Sequence, residues 1–264
     1  MRIRRNRLRD HSINRLIPNM LTITALCAGL TGIRQALLGH WELAVLAILI
    51  AAIFDALDGR IARLLDSSSK FGAELDSLSD FVSFGVAPAM IMFLWSTQEV
   101  KGFGWALTLA FSACMALRLA RFNTKLDNAD LPAWTSRFFT GVPAPAGAGL
   151  VLMPLIAWLE YGADFLRAPA FVGLFLIGVA GLLVSRLPTF SFKRVRVTQA
   201  WVLPTMIGVV AYASLLVSVP WATLFFTLLA YLGTLPVAYR TQRRLQAQRP
   251  APTPSAVPVD TDHD

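Results

Sequence analysis

The chain has 264 residues, of which 55% are hydrophobic and only 15% charged, with a mean hydropathy of +0.56. A soluble domain of this size carries about 25% charged residues, so the composition excludes an ordinary soluble globular protein and points to one polytopic membrane domain. The net charge of +8 does not point to nucleic acid, because the basic residues flank apolar runs or fall in alternate loops and no RNA- or DNA-binding motif accompanies them.

In chain order, Arg2, Arg4, Arg5, Arg7, Arg9 and Arg15 precede the first apolar run. A basic start followed by an apolar run imitates a signal peptide, but the run over 16–38 exceeds the roughly 7–15 residues of a signal-peptide core. It reads as the first membrane helix. Further apolar stretches cover 41–62, 73–96, 102–121, 139–160, 168–186, 200–219 and 221–239, each near the ~20 residues that cross the hydrocarbon. The expected fold is therefore all-α: a polytopic membrane helix bundle of about eight transmembrane helices, with six as the alternative of the same parity. Cys27 and Cys114 fall inside apolar runs with no Cys/His cluster nearby, which argues against a disulfide or a zinc site. Residues 241–264 read as a disordered tail. The expected organisation is a basic cytoplasmic segment over 1–15, a membrane domain over 16–240 and a cytoplasmic tail.

Orientation follows from the basic residues. With the N-terminus inside, 21 Lys and Arg fall on the cytoplasmic side and three (Arg34, Lys101, Arg167) on the other, a strong positive-inside asymmetry. Both termini are then cytoplasmic, and the link between spans two and three lies at the cytoplasmic face. With no organelle signal, the expected location is the cell (cytoplasmic or inner) membrane.

At that link stand four carboxylates in an apolar setting: Asp55, Asp58, Asp76 and Asp80. Charge inside a membrane segment is costly and is found where function needs it. Asp55 and Asp58 are three apart and Asp76 and Asp80 four apart, so each pair shares a helix face. The short link makes spans two and three antiparallel neighbours whose acidic faces meet across one cleft. Oxygen ligands without His or Cys suit one or two Mg²⁺ or Mn²⁺ ions, which commonly bind substrate phosphates. Gly59 and Gly72 permit either close helix packing or close approach of a ligand. Arg63 could fork a phosphate or pair with an aspartate. Asp66 reads as a solvated loop charge, and Glu74 falls off the pattern.

The spacing Asp55-x2-Asp58-Gly59-x2-Ala62-Arg63-x8-Gly72-x3-Asp76-x3-Asp80 resembles the signature of the CDP-alcohol phosphotransferase family at every fixed position. Four further segments are similar to its membrane-embedded phosphatidylserine synthases of bacteria and archaea. They are Pro18-Asn19-Met-Leu-Thr22, Ser69–Ala89, Ala116-Leu-Arg118-Leu-Ala-Arg121-Phe-Asn123, and Phe139-Thr-Gly141-Val-Pro143-Ala-Pro145-Ala146. The likeness spans roughly 14–150; the later spans share mainly hydrophobicity.

The resemblance implies a six-helix family core plus two helices. It implies metal ligands Asp55, Asp58 and Asp76, with Asp80 as general base and possible metal contact. It also implies that Asn19, Thr22, Gly59, Arg63, Ser69 and Gly72 lie at the CDP-diacylglycerol head. The implied reaction transfers the phosphatidyl group to L-serine and releases CMP; a homodimer is also implied. Arg118, Arg121 and Asn123 are candidates for holding serine, whose carboxylate needs a cation. Gly141, Pro143 and Pro145 read as setting the entry of span five. The motif leaves other acceptors open, such as glycerol-3-phosphate, inositol phosphate or choline. A divalent-cation or proton-coupled transporter is the rival from another class. Transporter sites usually lie near the midplane, often with internal repeats; here the acids lie at one end and no convincing repeat is present.

Overall fold

A computed structural model describes residues 3–65, 67, 69–126, 138–185, 188–190 and 201–247. Asp66, the basic residues Arg137, Arg186, Lys193, Arg194, Arg196 and Arg249, and the tail over 248–264 lie outside the described residues.

The helices are α1 (Ile3–Leu37), α2 (Trp41–Leu64), α3 (Lys70–Asp80), α4 (Ala87–Trp95), α5 (Gly102–Leu126), α6 (Ala144–Tyr161), α7 (Pro169–Val184), α8 (Val202–Ser218) and α9 (Pro220–Ala247). Six residues of π-helix, Phe81–Val86, join α3 to α4, so the two form one rod. Among the described residues, eight helical rods thus stand where eight apolar spans are expected. Among the described residues, Leu16–Leu37, Lys70–Trp95, Gly102–Thr124 and Ala144–Tyr161 are long and apolar enough to cross a membrane. Helices α7 and α8 have 16 and 17 residues; at about 1.5 Å per residue they fall short of a ~30 Å hydrocarbon core. The second half of α2 is made polar by Asp55, Asp58, Arg60 and Arg63. The protein is a multi-pass membrane helical protein.

Two departures from the sequence reading concern helix ends. The span expected over 139–160 begins at Ala144 instead. Phe138–Thr140 forms β1, paired antiparallel with β2 (Pro188–Phe190), so the helical fold carries one small two-stranded ladder. The reason is local. Gly141 has φ +87°, and Pro143 has φ −56° and ψ 149°, so neither continues a helix. A Cβ on Gly141 would also lie 3.2 Å from the Leu183 carbonyl oxygen. At the other end, α9 runs on to Ala247, past Arg240, where disorder is expected from the sequence.

The core is built around α6, whose Ala148, Val151 and Leu155 are fully buried. Phe84, Trp95, Phe111 and Met115 pack into the same cluster. Helix α8 has no buried residue. The rod of α3 and the π segment is fastened to α1 by two side-chain hydrogen bonds. Ser79 Oγ donates to the Thr22 carbonyl at 3.0 Å, and Ser83 Oγ to the Ala25 carbonyl at 3.2 Å. The approach is close: a Cβ on Gly29 would stand 2.7 Å from Ser83 Oγ. These bonds set α3 against α1 and α2, and so position the acidic faces.

Candidate active site

The α2–α3 hairpin brings the four aspartates together, two from each helix. Ser69 caps α3, its Oγ accepting the Gly72 N–H at 3.0 Å. That bond satisfies one of the exposed amides at the helix start and fixes where α3 begins relative to α2.

Asp55, Asp76 and Asp80 each offer a carboxylate oxygen, all within 4.8 Å of one another. The Asp55 and Asp80 carboxyl groups are near enough to interact directly. Carboxylates this close repel unless a proton or a cation lies between them. Three converging hard oxygen donors with no His or Cys fit a divalent ion of the Mg²⁺ or Mn²⁺ kind. Asp58 stands one step aside. It is 4% exposed, and its Oδ2 accepts the Thr22 hydroxyl at 2.6 Å. The Thr22 hydroxyl also lies 3.0 Å from the Pro18 carbonyl. The resemblance implies Asp55, Asp58 and Asp76 as ligands, with Asp80 as general base in possible metal contact; the geometry groups Asp80 with Asp55 and Asp76, and turns Asp58 toward α1.

Beside the cluster a cleft of about 440 Å³ opens between α1, α2 and α3. All six residues expected at the lipid head line it: Asn19, Thr22, Gly59, Arg63, Ser69 and Gly72. Asp58 and Asp76 line it as well, so Asp76 belongs to both the cleft and the acid cluster. The two glycines serve differently. A Cβ on Gly72 would lie 3.1 Å from Ser69 Oγ and 3.2 Å from Asn19 Oδ1, whereas one on Gly59 would meet nothing within 4 Å. Gly72 therefore lets α1 approach α3, and Gly59 leaves room in the cleft. Arg63 is exposed at the cleft. Glu74 is exposed and does not line the cleft.

Outside the cleft lining, the arginines of α5 separate. Arg118 is half-buried and within electrostatic range of Asp80 and Asp55. Its Nε donates to the Val142 carbonyl at 2.6 Å, which leaves the two terminal amino groups of its fork. Arg121 Nη1 donates to the Val184 carbonyl at 2.8 Å, and Asn123 Nδ2 to Ser77 Oγ at 2.9 Å. Both of these tie α5 to neighbouring helices. Of the three residues considered for serine, Arg118 is the one whose charge is felt at the aspartates.

A profile of CDP-alcohol phosphatidyltransferases matches residues 15–184. The chain belongs to the CDP-alcohol phosphatidyltransferase family. It is 39% identical over 234 residues to a CDP-diacylglycerol–serine O-phosphatidyltransferase of Mycobacterium leprae, covering 88% of this chain and 77% of that protein. Enzymes of the same name from Helicobacter pylori strain J99 and Bacillus subtilis are each 34% identical. The matches cover 76% and 67% of this chain, and 81% and 92% of theirs. All eight fixed motif positions, Asp55 to Asp80, lie inside the stretch matched by the CDP-alcohol phosphatidyltransferase profile.

Sequence reasoning missed Ser67 and Ala73 in the cleft wall. Ser67 is buried although it lies in the α2–α3 link; the run of three serines over 67–69 was its only signal. The partnership of Thr22 with Asp58 was also missed, because the two are 36 residues apart and no local spacing connects them.

Proposed function

We propose that the protein transfers the phosphatidyl group of CDP-diacylglycerol to the hydroxyl of L-serine, giving phosphatidylserine and CMP. The observation that carries this reading is the joining of a head-sized cleft to an acid cluster through Asp76, in a chain whose relatives bear that enzyme's name. The Ser83-Phe-Gly-Val-Ala-Pro-Ala, Arg118–Asn123 and Phe139–Ala146 segments favour serine over other acceptors.

In this reading Asn19, Thr22, Gly59, Arg63, Ser69 and Gly72 hold the CDP-diacylglycerol head. Arg63, exposed at the cleft, supplies a fork for phosphate oxygens. Asp55, Asp58 and Asp76 are the metal-holding carboxylates, with Asp80 in contact. When bound, a Mg²⁺ or Mn²⁺ ion supplies neutralising charge for the diphosphate and the leaving CMP. Asp80, in contact with Asp55 and facing Arg118, takes the proton of the serine hydroxyl as that oxygen attacks the lipid-side phosphorus. The phosphorus–oxygen bond to CMP breaks as the new bond forms. Donor and acceptor thus approach the aspartates from opposite sides, the lipid from the cleft and serine from the Arg118 side.

The basic-residue asymmetry supports cytoplasmic termini and an active site at the cytoplasmic face, where soluble serine and CMP exchange freely. The division into a basic segment over 1–15, a membrane domain over 16–240 and a tail goes with that orientation. A homodimer follows from the family resemblance, and exposed apolar side chains of α8 such as Leu203, Ile207 and Val210 offer surface for it.

Purified protein in detergent is incubated with CDP-diacylglycerol and a divalent ion, with L-serine, glycerol-3-phosphate, inositol phosphate or choline as acceptor. CMP release with phosphatidylserine formation, dependent on L-serine, is expected. Turnover with another of these alcohols and none with serine overturns the acceptor assignment. Absence of CMP release with every alcohol overturns the reaction class.

A further inference from the structure

We propose that the Tyr231 hydroxyl joins the Arg118 guanidinium in holding the carboxylate of the acceptor, which makes Tyr231 on α9 a specificity-determining residue. The inference deepens the serine reading and rests on it.

Tyr231 is packed against the hydrophobic core, and its hydroxyl is buried with no hydrogen-bond partner among the described residues. A buried tyrosine hydroxyl usually finds a partner, and one left without it is costly. The position of the ring follows from helix packing. A Cβ on Gly149 of α6 would lie 2.8 Å from Leu228 Cδ2 of α9, so the two helices touch there. Nearer the start of α9, Phe225 meets the ring of Tyr161 at the far end of α6, and α9 also meets β2, whose partner strand β1 immediately precedes α6. The two helices therefore run antiparallel. Three residues beyond Leu228, about 4.5 Å along the axis, Tyr231 comes level with the first turn of α6. Just before that turn, the Val142 carbonyl receives Arg118 Nε.

Two donors therefore fall within electrostatic range of each other. One is the free part of the Arg118 fork, within electrostatic range of Tyr231, Asp80 and Asp55. The other is the phenol O–H. A carboxylate complements such a pair, one oxygen taking the guanidinium and the other the phenol. The chemistry of serine fits the placement: its hydroxyl oxygen is three bonds from its carboxyl carbon. A carboxylate held at Arg118 and Tyr231 therefore keeps the hydroxyl beside Asp80. Tyr231 also lies outside the residues matched by the family profile.

The test is Tyr231→Phe, which keeps the ring and removes the oxygen. Loss of a hydrogen bond to a charged group should raise the KM for L-serine about tenfold or more, while the KM for CDP-diacylglycerol stays within about twofold. An unchanged serine KM overturns the proposal. So does a parallel rise in both KM values, or a variant that binds CDP-diacylglycerol but has no turnover at saturating serine. The wild-type protein gives a second test that needs no variant. L-serinamide, with its carboxylate neutralised, should be used at least about tenfold less well than L-serine; equal use overturns the proposal. Failure of the wild type to make phosphatidylserine at all would instead sink the underlying reaction, so the two failures are distinguishable.

Discussion

Thr22→Val tests whether α1 belongs to the chemistry or merely to the scaffold. Valine matches threonine in shape and lacks only the hydroxyl. That hydroxyl donates to Asp58 Oδ2 at 2.6 Å, and both residues are 4% exposed. Solvent therefore has little access to replace it. A hydrogen bond to a charged group contributes about 1.5–3 kcal/mol, and leaving a buried acceptor without its donor costs a similar amount. At about 1.4 kcal/mol per decade, kcat/KM for CDP-diacylglycerol should fall by roughly 10- to 100-fold. Thr22→Ser, which restores the donor, should recover most of it. The assay is CMP release in detergent across a range of CDP-diacylglycerol at saturating serine, with thermal unfolding of each variant run alongside. A valine variant within twofold of wild type refutes the argument that Asp58 needs α1 to hold it. So would a serine variant as impaired as the valine one, since that would make the methyl group the important part.

Asp80→Asn should abolish turnover while CDP-diacylglycerol binding, followed by a direct binding assay, is largely kept; near-normal turnover removes the base assignment. Chelation with EDTA should stop the reaction and added Mg²⁺ or Mn²⁺ should restore it, whereas a rate indifferent to EDTA contradicts a metal role for Asp55, Asp58, Asp76 and Asp80. Gly72→Ala places a Cβ 3.1 Å from Ser69 Oγ and 3.2 Å from Asn19 Oδ1, and both neighbours line the cleft. The KM for CDP-diacylglycerol should rise several-fold, and an unchanged KM would mean that the α1–α3 spacing does not shape the cleft.

The acidic faces were legible because they are local. Asp55 with Asp58 and Asp76 with Asp80 follow from helical spacing, and the short link between the helices brings the pairs together. The eight rods were legible from hydropathy for the same reason. What the sequence conceals is whatever depends on pairs distant along the chain. The expected division into three ligands and one base treats Asp58 as an equal of Asp55. The Thr22 hydroxyl distinguishes them, and it comes from a different helix. Arg118 and Arg121 look equivalent as neighbours on one helical face, yet one reaches the Val142 carbonyl and the other the Val184 carbonyl. The start of α6 was misplaced by five residues, 139 against Ala144, because hydrophobicity continues through Phe138–Thr140. The positive φ of Gly141 and the two prolines, not polarity, stop the helix there.

The fold divides its tasks between elements near in sequence and elements distant in sequence. The donor side is built from α1, α2 and α3, elements near in sequence and joined by Ser79, Ser83 and Thr22 hydrogen bonds. On the proposed reading the acceptor side is built from α5, the segment before α6, and α9, elements far apart in sequence and joined by Arg118 and by the packing of α6 on α9 at Gly149. A change of acceptor can therefore arise in α9 without disturbing any motif residue. A change of donor cannot, because the residues that line the cleft also fix the aspartates in place. Asp76 is where the two sides meet, lining the cleft with one face of α3 and closing the acid cluster with Asp55 and Asp80. Substitution there should impair both substrates together, in contrast to Thr22 on one side and Tyr231 on the other.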